Sequence, residues 1–313
     1  LHALRVDTLC AERGRIGGEL RQLAVPMLDC MGDRGPDSAG LAVFDRREDA
    51  AGLGFSLYWR GGVPDWDAVL EHHRDVLGTD ATLDANGDNA LLHSTMAPSA
   101  VPGWLQENWP CVDLLSVGQR IRLFKDEGHP REIAARYGFE SLTGSHLVGH
   151  TRMATESMVS PAHAHPFTAG QDFCLVHNGS LSNPNSVRRR LQRRGIAFET
   201  DNDTEAGCRY LEWRMREGDG LEQAIESSFE VLDGFFTFLM ATAEKMVLVR
   251  DAFACKPAVV AETDDYVAVG SEFRALAHLP GVADANVYEP SPKTIYSWSV
   301  VEAGAPQTTA VVS

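Results

Sequence analysis

Long apolar runs are missing from this 313-residue sequence. A membrane-spanning helix needs ~18–20 consecutive apolar residues, and the densest stretch, Phe235-Phe236-Thr237-Phe238-Leu239-Met240-Ala241, is only strand-length. The opening Leu-His-Ala-Leu-Arg-Val-Asp has no basic region followed by an apolar block and no small-residue cleavage site, so no export signal is visible. The expectation is a soluble, cytoplasmic protein with no membrane contact. Cysteine is sparse and scattered: Cys10, Cys30, Cys111, Cys174, Cys208 and Cys255 form no paired short spacing. That argues against a zinc site, a disulfide framework and an iron–sulfur centre, so no cofactor is expected within this chain. Basic charge is also in short supply. With 28 Lys and Arg against 44 Asp and Glu, the net charge of −16 repels phosphate backbones and excludes nucleic acid as a natural partner. One cluster, Arg188-Arg189-Arg190 with Arg193-Arg194, runs against that trend. A solvated helix face explains it better than a dock for an acidic partner. Neither G-x-G-x-x-G nor a P-loop follows a strand, which leaves nucleotide binding of those kinds unsupported.

What is present is a 44% hydrophobic chain, long enough for a large core. Leu20, Leu23, Ala24, Met27, Leu28 and Met31 have helical spacing, with Pro26 predicting a late start or a bend. Asp33 to Ser38 is a turn-rich loop by composition. Leu41–Phe44 reads as a buried strand, with Phe55–Trp59 as its hairpin partner, and Asp65–Leu77 as a helix capped by Asp65. The polar, turn-forming residues 78–90 read as a surface loop. Further strands are expected at Leu91–Thr95, Ile121–Phe124 and Leu147–His150, with a short helix at Pro130–Tyr137. Phe173–His177 reads as a strand ending at the turn signal Asn178-Gly179. Helices at Asn185–Arg194, Asp203–Glu217 and Glu222–Leu232 then give way to strands at 235–242, 246–250, 258–262, 266–270 and 295–300. Blocks of helices and blocks of strands with hairpin-length gaps predict an α+β protein with antiparallel sheets.

Polar residues concentrate at strand ends in four segments: Arg34-Gly35-Pro36-Asp37-Ser38, His150-Thr151-Arg152-Met153-Ala154-Thr155, His177-Asn178-Gly179 and Asp201-Asn202-Asp203-Thr204-Glu205. Singly, the first is explained by a turn, the third by a hairpin and the fourth by an acidic helix cap. An arginine at the end of an apolar strand is harder to dismiss, because a guanidinium there needs an anionic partner.

In order and approximate spacing, the four segments resemble the signature of class II glutamine amidotransferases, over nearly the whole chain. The runs His150-Thr-Arg-Met-Ala-Thr-Glu-Ser157, Val176-His-Asn-Gly-Ser-Leu-Ser182 and Asp251-Ala-Phe-Ala-Cys-Lys-Pro257 are most similar to stand-alone glutaminase-like subunits of glutamate synthase and N-methylglutamate synthase type. The resemblance implies an N-terminal-nucleophile hydrolase fold, a four-layer αββα sandwich of two mainly antiparallel sheets. It implies one domain over 1–313, with a family-specific insertion around 60–145. The implied reaction is hydrolysis of L-glutamine to glutamate and ammonia by an N-terminal cysteine whose own α-amine is the base. Arg152 would bind the substrate α-carboxylate and Asp203 its α-ammonium, while Asn178 and the Gly179 N–H would form the oxyanion hole. Thr155 and His165 would contact substrate, and Arg34-Gly35 would line the nucleophile's pocket. His150 and His177 read as structural. The implied partners are synthase subunits of a hetero-oligomeric complex, on which FMN and an iron–sulfur cluster would reside.

The family's opening Cys-Gly-Ile-Val-Gly has no counterpart here, because the sequence opens at Leu1-His2-Ala3-Leu4, which looks like the continuation of that first strand. Three accounts stand: a cysteine just upstream of Leu1, a catalytically inactive scaffold or regulatory subunit that keeps the glutamine pocket, or processing that exposes Cys10. The polar run after Cys10 does not suit an apolar first strand. Cys174 and Cys255 are expected to be buried small hydrophobes.

Overall fold

The computed structural model describes residues 2–6, 20–45, 52–77, 80–153, 160–300 and 309–312. Chain order opens with β1 (His2–Val6), α1 (Leu20–Cys30) and β2 (Ser38–Phe44). It continues with β3 (Leu53–Trp59), α2 (Trp66–Leu77), β4 (Thr82–Asn86), β5 (Asn89–Ser94), α3 (Val101–Asn108) and β6 (Val112–Gly118). Next come β7 (Ile121–Glu127), α4 (Pro130–Arg136), β8 (His146–Arg152), β9 (Phe167–Thr168) and β10 (Phe173–Leu181). Three helices follow, α5 (Pro184–Gln192), α6 (Asp203–Arg216) and α7 (Leu221–Ser228). The remaining strands are β11 (Gly234–Thr242), β12 (Lys245–Arg250), β13 (Val259–Glu262), β14 (Tyr266–Gly270), β15 (Asn286–Tyr288), β16 (Ile295–Ser299) and β17 (Thr309–Val312).

The strands form a seven-stranded sheet in the order β15-β13-β14-β1-β8-β2-β7 and a six-stranded sheet in the order β17-β16-β12-β11-β10-β9. Side-chain alternation explains why these two sheets stack. Along β2, Leu41 and Val43 point to α1 and α4, where they meet Leu23, Met27, Leu28 and Ile133. Ala42 and Phe44 point the other way, into a core shared with Val176, Leu239, Met246 and Leu248 of the second sheet. The far face of that sheet, through Leu175, Phe238, Met240 and Val247, packs on Val187, Leu191, Ala206, Leu211 and Ile225 of α5 to α7. The layers are therefore α, β, β, α, as the α+β reading anticipates. Among the described residues no helix is long and apolar enough to cross a membrane.

Two expectations need correction. Phe55–Trp59 does not pair with Leu41–Phe44: β2 lies between β7 and β8, whereas β3 pairs with β5 and β6. Residues 82–86 and 89–90 are strand rather than loop, because the polar β4 pairs with the buried β5 through a turn at Gly87, φ 59°. Together β4-β5-β3-β6 make a third sheet, whose apolar face closes on α2 and α3 through Phe55, Leu57, Leu92, Val69 and Trp104. Two buried serines fasten it to the first sheet: Ser116 Oγ donates to Ser56 Oγ (2.8 Å), which accepts the Leu123 N–H (3.0 Å). The Asp172 carboxylate accepts the N–H groups of Gln119, Arg120 and Ile121 and holds the β6–β7 turn. Helix α1 starts at Leu20 and keeps Pro26 inside it, and Asp65 caps α2 by accepting the Ala68 N–H at 3.1 Å.

Lys125 on β7 is 95% buried, since only 5% of its surface is exposed. Burial pulls its ammonium down to about 8 from an ordinary 10.5, against the opposing pull of Glu199, Cys208 and Glu205. The unfolded chain therefore holds that proton more tightly, and stability should rise as pH climbs from about 8 to about 10.5. Lys125→Met should raise the unfolding free energy at pH 7 by about 2–3 kcal/mol and remove that rise. Urea melts at both ends of the window measure it, and a variant no more stable than the parent at pH 7 contradicts the buried charge.

Candidate active site

Arg152 is the last residue of β8, opposite Ser38 of β2. Its carbonyl accepts the Asp37 N–H at 3.1 Å. Gly35 presses on the same backbone, so closely that a Cβ there would lie 2.6 Å from the Arg152 nitrogen, and no larger residue fits. Arg152 Nη1 donates to the His163 carbonyl at 3.2 Å, leaving the half-buried guanidinium anchored on one side. Strand β1 runs antiparallel to β8 with His2 opposite Gly149, so the start of β1 faces the Arg152 end. Arg34 departs from this group: its guanidinium, 60% exposed, pairs with Glu272 beyond β14. Thr155 and Cys10 lie outside the described residues.

Two residues beyond His163, the buried His165 places Nε2 2.9 Å from Thr204 Oγ1, and His177 Nδ1 approaches the same hydroxyl at 3.1 Å. A hydroxyl has one proton to give, so it donates to one ring and accepts from the other. The Asp203 carboxylate lies beside this bridge, 3.8 Å from His177 Nδ1 and 3.4 Å from the same hydroxyl. Burial lowers both imidazoles, His177 to about 4 with Asp203 pulling against it, and His165 well below its ordinary value. Both rings are neutral at pH 7. His165 also lies against His150, ring centroids 4.5 Å apart, so the two histidines read as structural join one packed cluster.

Asp203 opens α6, where the Asn202 side chain caps the helix by accepting the Thr204 N–H. Its Oδ2 also accepts the Leu181 N–H of β10 at 2.8 Å, which fastens the helix start to the strand carrying Asn178 and Gly179. The loop before it is fixed from two sides. Glu205 accepts the N–H groups of Glu199 and Thr200, and Arg188 donates to the carbonyls of Thr200 and Asn202. The arginine cluster is thus not a uniformly solvated face. Arg188 is half-buried, stacked on Phe198 at 4.7 Å, while Arg189, Arg190, Arg193 and Arg194 are exposed. Sequence reasoning missed this positioning role, for which the adjacent aromatic Phe198 was the available signal.

Asn178-Gly179 is not a turn. Strand β10 runs through it to Leu181, with Asn178 opposite Thr237 and Gly179 opposite Phe236 on β11. Tertiary pairing overrides the local turn preference, at the cost of a backbone only glycine adopts. Gly179 has φ 148°, and a Cβ there would sit 1.9 Å from the Phe235 carbonyl. The run Asp251–Pro257 buttresses this place. Asp251 accepts the Phe236 N–H, while the Lys256 carbonyl receives both Thr237 Oγ1 and Arg250 Nη2. Cys174 is buried, and burial pushes its thiol up to about 12. Cys255 is exposed rather than buried, because its loop lies outside the strand pairing. Among the described residues no His, Cys, Asp and Glu cluster suits a metal ion.

His165, His177 and Asp203 thus meet around Thr204, Arg152 is held by the neighbouring His163 carbonyl, and Asn178 and Gly179 lie on the strand whose Leu181 N–H binds Asp203. A profile of glutamine amidotransferase domains matches residues 150–278. The glutamine amidotransferase-like protein GlxB of Rhizobium meliloti is 45% identical over 286 residues, covering 91% of this chain and 94% of GlxB. The chain belongs to the class II glutamine amidotransferase family. Part of the amidotransferase is also similar to a glutamine–fructose-6-phosphate aminotransferase of Aliivibrio fischeri, 36% identical over 39% of this chain and 20% of that protein. Among solved structures, the glutamine phosphoribosylpyrophosphate amidotransferase of B. subtilis superposes with a TM-score of 0.61 at 17% identity. It covers 99% of the amidotransferase and 48% of its own chain, which establishes a shared fold.

The shared hydroxyl makes a measurable demand on stability. Thr204→Val keeps the shape and orphans two buried imidazole nitrogens, so it should cost roughly 1–3 kcal/mol for each. Because His177 titrates near 4 in the fold and an unfolded histidine near 6.5, its contribution is complete above about 6.5 and is lost as pH falls towards about 4. Thermal melts from pH 7 to 4 test both points, and a Thr204→Val protein as stable as the parent refutes the bridge.

Proposed function

We propose that this amidotransferase hydrolyses L-glutamine to glutamate and ammonia and passes the ammonia to a partner synthase. The observation that carries this reading is a pair of opposite charges at fixed element ends: Arg152, anchored on the His163 carbonyl, and Asp203, fastened to the β10 strand that carries Asn178-Gly179. A free amino acid offers a carboxylate and an ammonium on one carbon. The planar fork of Arg152 suits the first, and the Asp203 carboxylate suits the second. The Asn178 amide and Gly179 N–H would stabilise the oxyanion formed at the side-chain amide.

In this reading the nucleophile is an N-terminal cysteine upstream of Leu1. Its thiol proton passes to its own α-amine, the thiolate attacks the amide carbon, and ammonia leaves with that proton. Water then cleaves the thioester to release glutamate. The acceptor site lies on other, cytoplasmic subunits of glutamate synthase or N-methylglutamate synthase type, where FMN and an iron–sulfur cluster would serve. The dense family resemblance of the three polar runs supports that assignment.

Arg152→Lys should depress kcat/KM for glutamine sharply, and near-normal kinetics would remove Arg152 from substrate binding. Asn178→Ala should lower kcat by about 10²-fold, whereas an unchanged kcat excludes it as an oxyanion donor. A glutamine-analogue electrophile should label the mature, full-length protein once, on an N-terminal cysteine, as read by peptide mass spectrometry. Labelling at Cys255 or another internal cysteine overturns the mechanism, and a mature chain with no N-terminal cysteine makes the protein a non-catalytic glutamine-binding subunit.

A further inference from the structure

A cavity of about 540 Å³ opens between β6 and α3 on one side and β9 and the start of α6 on the other. Its size falls in the range of small-molecule sites, about 300–1,000 Å³. None of Arg152, Asn178, Gly179 or Asp203 lines it. Apolar walls come from Leu105, Leu114, Leu115 and Phe167. Lys125 also lines it, 95% buried at 5% exposure, with Nζ 5.0 Å from the centre of the Phe167 ring.

The charges around the cavity are almost all committed to each other. Arg60 pairs with Asp113 at 3.0 Å, and Arg209 pairs with Glu205 at 2.7 Å and Glu199 at 3.0 Å. The two oxygens of Glu205 also accept from the Glu199 N–H, the Thr200 N–H and Thr200 Oγ1. Among the described residues Lys125 makes neither an ion pair nor a hydrogen bond; Glu199 and Glu205 act on its ammonium only across a distance, so it faces the cavity with no anion in contact. A desolvated cation in that condition is costly unless something supplies the missing charge. The three cations Arg60, Lys125 and Arg209 are matched in number by Asp113, Glu199 and Glu205. A dianion would be repelled by those three acids, whereas a single negative charge with an apolar body satisfies both the lysine and the walls.

We propose that this cavity is a binding site for a small organic monocarboxylate, held by Lys125, whose occupancy is transmitted to the neighbouring glutamine pocket. Transmission follows from two shared wall segments. Ala162, Phe167 and Thr168 line the cavity, while His163 holds Arg152 and His165 holds Thr204 from the same stretch. Glu199, Thr200 and Glu205 line it too, while Asp203 and Thr204 lie on the same turn. The binding claim stands on the cavity alone, and only the effect on glutamine use rests on the function proposed above.

Phenylacetate is a suitable probe at pH 7, with phenylmalonate as the dianion of similar body. Calorimetry on the full-length protein should show saturable one-to-one binding of phenylacetate. Lys125→Met, whose fold the lost buried charge does not threaten, should weaken it by about tenfold or more. Arg152→Lys should leave it unchanged, and phenylmalonate should bind at least about tenfold more weakly than phenylacetate. Hydrogen exchange over 160–168 and 199–205 should slow with phenylacetate in the parent and not in Lys125→Met. No saturable binding, equal binding by Lys125→Met, or loss of binding in Arg152→Lys overturns the site. Binding without slower exchange in those two segments overturns the transmission. If both hold while glutamine hydrolysis is absent, the site stands and the proposed function fails.

Discussion

The turn at Asn202–Glu205 is where the polar contacts between helix α6, strand β10 and the loop before β9 are concentrated. Within four residues, Asn202 caps the helix, Asp203 reaches the β10 backbone, Thr204 serves two imidazoles and Glu205 gathers the preceding loop. Each contact satisfies a buried polar group that would otherwise oppose folding. Their number in one place also leaves the Asp203 carboxylate little freedom to move. A charge intended for a substrate is useful only if it is already in place when the substrate arrives, because reorganisation then takes nothing from binding.

Much of the architecture was legible because two periodicities dominate the sequence. The alternation along Leu41–Phe44 and the helical spacing from Leu23 to Leu28 describe opposite sides of the same core, and the structure seats them that way. Sequence reasoning failed where a partner elsewhere in the chain outweighed local preference. Asn178-Gly179 has the composition of a turn, yet β11 pairs with it residue by residue. The polar stretch at 82–86 has no apolar alternation, and becomes a strand only because Leu91 and Leu92 lie opposite it. The strand partner of Phe55–Trp59 was misjudged for a related reason, since nothing nearby in sequence distinguishes β2 from β5 and β6.

The candidate site was legible in a different way. Four short polar segments, unremarkable singly, matched a family pattern in order and spacing, and three of them contribute to one set of contacts around Thr204. Arg34 shows the limit of that approach. Its neighbour Gly35 is packed on Arg152, but the arginine side chain turns to Glu272. Backbone placement follows from the motif, whereas a long exposed side chain goes to the nearest carboxylate. The positioning work of Asp251 was invisible because its partners are backbone N–H groups, which carry no residue-specific mark in a sequence.

The two serines that fasten the third sheet have one more effect. Strand β7 is outermost in the seven-stranded sheet, and outermost strands invite foreign strands to add on. Here the Leu123 N–H is already taken by Ser56 Oγ, and the third sheet lies against that flank. The third sheet therefore also protects the chain against edge-to-edge aggregation.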